Sequence, residues 1–198
     1  MKKVLILLAN GFELYEASAF IDVLGWATAF GSEPIEVVTA GFSKQLHCTF
    51  GFDVIPGSLI SQVDLDSFDA LAIPGGFEKA GFYQDAFSQN FLEVISYFED
   101  AGKIISSICV GALPVAKSGV LQGRNATTYH LLEGRRRKEL GSFGAIVQDS
   151  PMVRDKNITT SSSPATAINV AFDLLERLTS RENADHIQEL MGFDPAIK

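Results

Sequence analysis

The chain has 198 residues, 46% of them hydrophobic, with a net charge of −8 and a pI near 4.8. That length and composition suit one substantial folded domain, 1–198, and exclude a disordered chain. The acidic balance argues against a nucleic-acid or anionic-membrane partner, since either needs a basic face.

The opening "MKKVLILLA" is too short an apolar run for a secretory signal, and polar Asn10 and Glu13 follow at once. No stretch approaches membrane-spanning length. Two cysteines, Cys48 and Cys109, do not make a disulfide framework. The expectation is a soluble cytoplasmic protein with free thiols.

Short aliphatic runs at Val4–Leu8, Ile35–Ala40, Ala70–Ile73 and Ile104–Ile108 read as buried strands. Helical spacing separates them. Leu14, Ala17, Ile21 and Leu24 set the first helix. Phe91, Ile95 and Phe98 set another, with Ser88 as N-cap and Gly102 as the stop. Ile168, Ala171, Leu175 and Leu178 repeat the spacing behind Ser163 as cap and Pro164 at the first helical position. A last helix is expected from Ser180 to Met191, ending at Gly192. "KQLHCTFGFDVIP" reads as a hairpin-like excursion. "GAIVQDSPMVRDKNITTSS" reads as short strands around the turn "RDKN". Apolar strands alternating with helices imply an α/β fold with a mostly parallel sheet covered on both faces. The basic run "RRRK", Arg135–Lys138, reads as a solvated helix face, with an anion contact as the lesser alternative.

In such sheets ligands sit beyond the carboxyl ends of the strands. The segments found there are "ANGFELYE", "PGGFE", Cys109 and "TTSSSP". Cys109 therefore stands where a nucleophile is expected, at a strand end before a helix N-terminus. An ordinary thiol is only about 3% ionised at neutral pH. A helix terminus supplies about 0.3–2 kcal/mol toward a thiolate, so a second contributor is needed. Gly111 permits a tight turn after the cysteine. Gly75 and Gly76 can bring bare N–H groups to the rim and form an oxyanion hole with the Val110 amide. The alternative is that "PGG" is merely a strand-ending turn. Glu13 is explained by the helix dipole; Glu16 shares a turn with core-facing Ala17 and Phe20, so its carboxyl can face the rim. His130 is a candidate base for Cys109, with Tyr129 as its neighbour and a structural role as the alternative. His47 beside Cys48 makes no metal motif. Glycine-rich phosphate-binding motifs are lacking, so no metal or cofactor is expected.

In order and spacing, "NGFELYE", "PGGFE", "SSICVGA" and "GRNATTYH" resemble the ThiJ/PfpI superfamily, from Lys3 to Pro195. The resemblance implies a flavodoxin-like three-layer sandwich shared with class I glutamine amidotransferases. The closing "ENADHIQELMGFDP" is similar to the branch containing isonitrile hydratases and regulator-linked domains. Cys109 takes the place of the elbow cysteine and Glu16 that of its acidic partner. Gly76 and Val110 take those of the backbone donors. Val110 stands where the PfpI-type branch carries histidine and isonitrile hydratases carry threonine. His130 falls one place later than the histidine that follows two threonines in the Parkinson-protein branch.

What remains is a cysteine–glutamate pair. It requires a neutral Glu16, because an ionised one would oppose the thiolate. The resemblance implies a homodimer acting on a small-molecule electrophile by glyoxalase-, hydratase- or amidase-like chemistry. A redox sensor built on an oxidisable Cys109 and a small-ligand binding domain are the alternatives.

Overall fold

The computed structural model describes residues 1–193; Pro195, the far limit of the resemblance, lies outside them. Eleven strands and seven helices occur in the described residues. In chain order they are β1 (Lys2–Leu8), α1 (Leu14–Phe30), β2 (Ile35–Gly41), β3 (Leu46–His47), β4 (Asp53–Val54), β5 (Ser58–Leu59) and β6 (Ala70–Ile73). Then come α2 (Phe82–Ala86), α3 (Gln89–Asp100), β7 (Ile104–Ser107), α4 (Ala112–Lys117), β8 (Asn125–Ala126) and α5 (Arg135–Ser142). The chain continues with β9 (Ile146–Val147), β10 (Met152–Asp155), β11 (Ile158–Ser161), α6 (Ala167–Leu178) and α7 (Arg181–Leu190).

Seven strands form the main sheet in the order β10-β11-β7-β6-β1-β2-β5. All neighbours are parallel except the β10–β11 hairpin, which turns at Lys156. Helices α1, α6 and α7 pack together on one face, and α3 and α4 on the other. The result is the expected flavodoxin-like α/β sandwich. The middle of β1, Val4 to Leu7, is covered on both faces and fully buried, which is why that run is aliphatic without alternation. The chain leaves β1 toward β2 on one side and returns to β6 on the other. The carboxyl ends of β1 and β6 therefore border the topological switch point where α/β sheets bind ligands.

Most helix boundaries follow the sequence signals. Ser88 Oγ accepts from the Phe91 N–H at 3.4 Å, and Ser180 Oγ from the Asn183 N–H at 3.2 Å. Two expectations need correcting. Ser163 does not cap α6 with its side chain; a 3₁₀ turn, Pro164–Thr166, intervenes, and the Ser163 carbonyl accepts from the Thr166 N–H at 3.1 Å. Ala17 and Leu24 are buried as expected, but Ile21 is exposed, because the buried face of α1 is completed by Glu16, Phe20, Val23 and Ala27.

Arg124 braces the segment that leads toward His130. Its guanidinium reaches Glu99 at 2.9 Å, Asp155 at 3.2 Å and Asn157 at 3.1 Å, joining β8 to α3 and to the β10–β11 turn. Among the described residues no helix is long and apolar enough to cross a membrane.

Candidate active site

Two loops meet at the switch point. After β1 the backbone turns at Gly11, with φ of 71°, and after β6 it passes through Gly75 and Gly76. The Glu13 N–H donates to the Gly75 carbonyl at 2.8 Å, and the Phe77 N–H donates to the Gly11 carbonyl at 2.9 Å. This bridge requires close backbone approach: a Cβ on Gly76 would lie 2.3 Å from the Gly11 oxygen. It also fixes the start of α1, and with it Glu16 in the first turn.

Glu16 is fully buried. Its Oε2 accepts from the Gly75 N–H at 2.6 Å. The carboxyl lies beside the Cys109 thiol, and its Oε1 is buried with no hydrogen-bond partner. Burial, reinforced by the charge of Glu13, raises the Glu16 pKa to about 8, against the opposing pull of the Gly75 N–H and the Cys109 thiol. The acid is therefore mostly neutral at pH 7, as the sequence argument requires of it.

Cys109 follows β7 in a left-handed conformation, φ 54°, that non-glycine residues seldom adopt. Such backbone costs about 1–3 kcal/mol and is retained where surrounding structure imposes it. The neighbours that impose it are visible. The Cys109 carbonyl accepts from Thr128 Oγ1 at 2.9 Å, and the Gly111 N–H donates back to the Ile108 carbonyl at 2.8 Å. Thr127, next to Thr128, is held through its N–H by Thr160 Oγ1 at 2.9 Å. Gly111 is needed for a different reason from the one expected. Its φ of −58° is ordinary, but a Cβ there would lie 2.7 Å from the Ile73 carbonyl.

The thiol is not held as a resting anion. Burial pushes Cys109 well above the usual thiol range and the charge of Glu16 adds to this, while a hydrogen bond from the Val110 N–H pulls the other way. The two buried groups titrate as one unit, with both protons retained at neutral pH. Cys109 is the first residue of a 3₁₀ turn, Cys109–Gly111, that runs directly into α4, so this helical terminus meets the sulfur through the Val110 N–H.

The oxyanion donors expected from the sequence are divided by the structure. The Gly75 N–H is consumed by Glu16, so Gly75 is a positioning residue and not an open donor. Gly76 and Val110 line the cleft above Cys109. That cleft has a volume of about 730 Å³, and Tyr129 and His130 both reach its wall. His130 is exposed; its Nδ1 lies 3.4 Å from the Ser162 carbonyl, and the ring makes no hydrogen bond to Cys109. No histidine completes a triad among the described residues.

Within the arginine run Arg135 and Lys138 are exposed, as expected of a solvated face, whereas Arg136 departs from that role. Arg136 pairs with Glu139 at 2.7 Å and Glu78 at 2.9 Å and lies 4.5 Å over the Tyr83 ring. Only 14% of its side chain is exposed. Tyr83, Arg135 and Arg136 line the same cleft and were missed as site residues. The run's charge hid its apolar contact: the guanidinium plane lies over an aromatic ring and needs no water on that side.

The profile of the DJ-1/PfpI family matches residues 2–177. The chain belongs to the DJ-1/PfpI family. Protein dj-1beta of Drosophila melanogaster is 28% identical over 190 residues, 94% of either chain. The crystal structure of Drosophila melanogaster DJ-1beta superposes with a TM-score of 0.84 at 27% identity, covering 96% of this chain and 97% of that one. Isonitrile hydratase of Pseudomonas putida is 29% identical over 199 residues, 94% of this chain and 78% of that protein. The DJ-1/PfpI family thus includes a named enzyme beside the DJ-1 proteins.

Proposed function

We propose that this DJ-1/PfpI protein is an enzyme in which the Cys109 sulfur adds to an electrophilic carbon of a small substrate. The observation that carries this reading is the buried Glu16 carboxyl set against a cysteine held in a left-handed backbone. As the sulfur–carbon bond forms, the electron pair of the carbon–heteroatom multiple bond moves onto the heteroatom. The thiol proton passes by way of Glu16 to that heteroatom, or for an isonitrile to the attacked carbon itself, so no redox partner is required. The N–H of Gly76 is assigned to the developing negative charge, while the Val110 N–H holds the Cys109 sulfur. The size of the cleft suits a small molecule, and the absence of a histidine base at Cys109 favours addition chemistry of the glyoxalase or hydratase type over peptide hydrolysis. A peroxide-sensing role would use the same cleft-lining sulfur and is told from catalysis by oxidation of Cys109 without turnover of substrate.

The test is the pH profile of Cys109 alkylation by iodoacetamide, read beside turnover of methylglyoxal and of cyclohexyl isonitrile. Because an ionised Glu16 opposes the thiolate, the wild-type profile should hold its rise to a pH above 8. Glu16→Gln removes that charge and should move the rise to lower pH, and Cys109→Ser should abolish turnover. Superimposable wild-type and Glu16→Gln profiles would remove Glu16 from the chemistry.

A further inference from the structure

Sixteen lysines and arginines are outnumbered in this chain, whose net charge is −8, yet Lys79, Arg135 and Arg136 all line the Cys109 cleft. Arg135 remains reachable, with 67% of its side chain exposed, and Lys79 is exposed as well. Against them stand Glu13, half-buried with its pKa raised by that burial, and Glu78. Glu78 shows what the two arginines are shaped to hold. Arg135 presents Nη1 to Oε2 at 3.2 Å and Nη2 to Oε1 at 3.3 Å, a two-point grip on one carboxylate, while Arg136 Nη2 meets Oε2 at 2.9 Å. Arg136 cannot swing away, because Glu139 and the Tyr83 ring hold it from the other sides.

We infer that the small electrophile taken by Cys109 carries a carboxylate, seated on Arg135 and Arg136 in exchange for Glu78, with Lys79 drawing it to the rim. This rests on the reading of Cys109 as a nucleophile. The exchange replaces one carboxylate by another, so the charge of the site is unchanged and the arginines lose no hydrogen-bond partner. Glu78 is free to leave: its side chain is 52% exposed and sits on a three-residue turn, Glu78–Ala80, in the loop after β6. A neutral substrate would gain nothing from this rim. The competing account is that Glu78 only staples the loop to α5.

Iodoacetate and iodoacetamide deliver the same reaction to Cys109, displacement of iodide by sulfur, and differ only in carrying a carboxylate or a neutral amide. The rate ratio at Cys109, read by peptide mass and referred to the same ratio for glutathione, isolates the rim. The ratio should exceed that of glutathione by about fivefold at low salt, fall toward parity in about 0.5 M sodium chloride, and rise further in Glu78→Gln. Arg135→Gln should bring the ratio to parity with that of glutathione. A ratio equal to that of glutathione in both wild type and Glu78→Gln overturns the inference and leaves Glu78 as a staple. If neither reagent modifies Cys109, the nucleophile reading fails, and a second arm still decides the carboxylate site. In Cys109→Ser, acetate should raise Tm relative to chloride at equal ionic strength, an increment lost on adding Arg135→Gln. An acetate increment that survives Arg135→Gln, or none at all, overturns it.

Discussion

Replacing Glu16 by glutamine removes one ionisable group from the bottom of the cleft and keeps its shape. The folded chain holds Glu16 near 8, whereas the ordinary glutamate value is 4.5. Between those values the folded state keeps a proton that the unfolded chain has released. Stability must then fall as pH rises, by about 1.4 kcal/mol for each pH unit in that window. Below 4.5 both states are protonated and above 8 both are ionised, so the slope vanishes at either end. From pH 5.5 to 7.5 the loss attributable to this group is about 2.5 kcal/mol, slightly less than two full units because ionisation of the folded state begins near the top. Cys109 adds nothing in this range, since its thiol is protonated in both states. Glutamine preserves the acceptor for the Gly75 N–H but leaves amide hydrogens in a dry site, an offset of about 1–3 kcal/mol that does not depend on pH. The pH dependence is therefore the clean quantity. Urea denaturation at pH 5.5 and 7.5 should show wild type losing about 2.5 kcal/mol more than Glu16→Gln across the interval. Parallel losses in the two proteins would mean that Glu16 is ionised in the fold at pH 7, and the neutral-acid argument for the site would fail.

Two glycines separate positioning from stability. A Cβ at Gly75 would lie 2.9 Å from Glu16 Oε2 and 3.0 Å from the Val110 nitrogen. Because the carboxyl is the softer neighbour, Gly75→Ala should shift it and lower turnover on the order of 10- to 100-fold with little change in Tm; unchanged turnover would show that the placement of Glu16 is not limiting. Gly111→Ala instead sets a methyl 2.7 Å from the Ile73 carbonyl, where backbone meets backbone. It should cost about 1–3 kcal/mol in urea denaturation, and an undiminished midpoint would show that the approach of the Cys109 turn to β6 relaxes freely.

The fold was legible in the chain because its determinants are local and periodic. Val4–Leu8 and Ala70–Ile73 are apolar at every position, as a strand covered on both faces requires, and Ser88 and Ser180 mark their helices by direct hydrogen bonds. The position of Cys109 followed from the same logic, since a parallel sheet places strand ends together. Glu16 also left a trace: with Phe20, Val23 and Ala27 it occupies the buried stripe of α1, where an acid has no structural reason to be. What the sequence could not supply was the environment of each group. Whether the Gly75 N–H is open or taken depends on how far Glu16 reaches across from another element. Whether Cys109 is anionic depends on burial against a second acid. Whether Arg136 meets water or Tyr83 depends on two segments far apart in the chain. Pattern along the sequence sets which elements form and which residues face inward, because burial recurs with the period of the element. Charge state and hydrogen-bond ownership are set by distances across the tertiary contact, where electrostatic and desolvation energies change over a few ångströms.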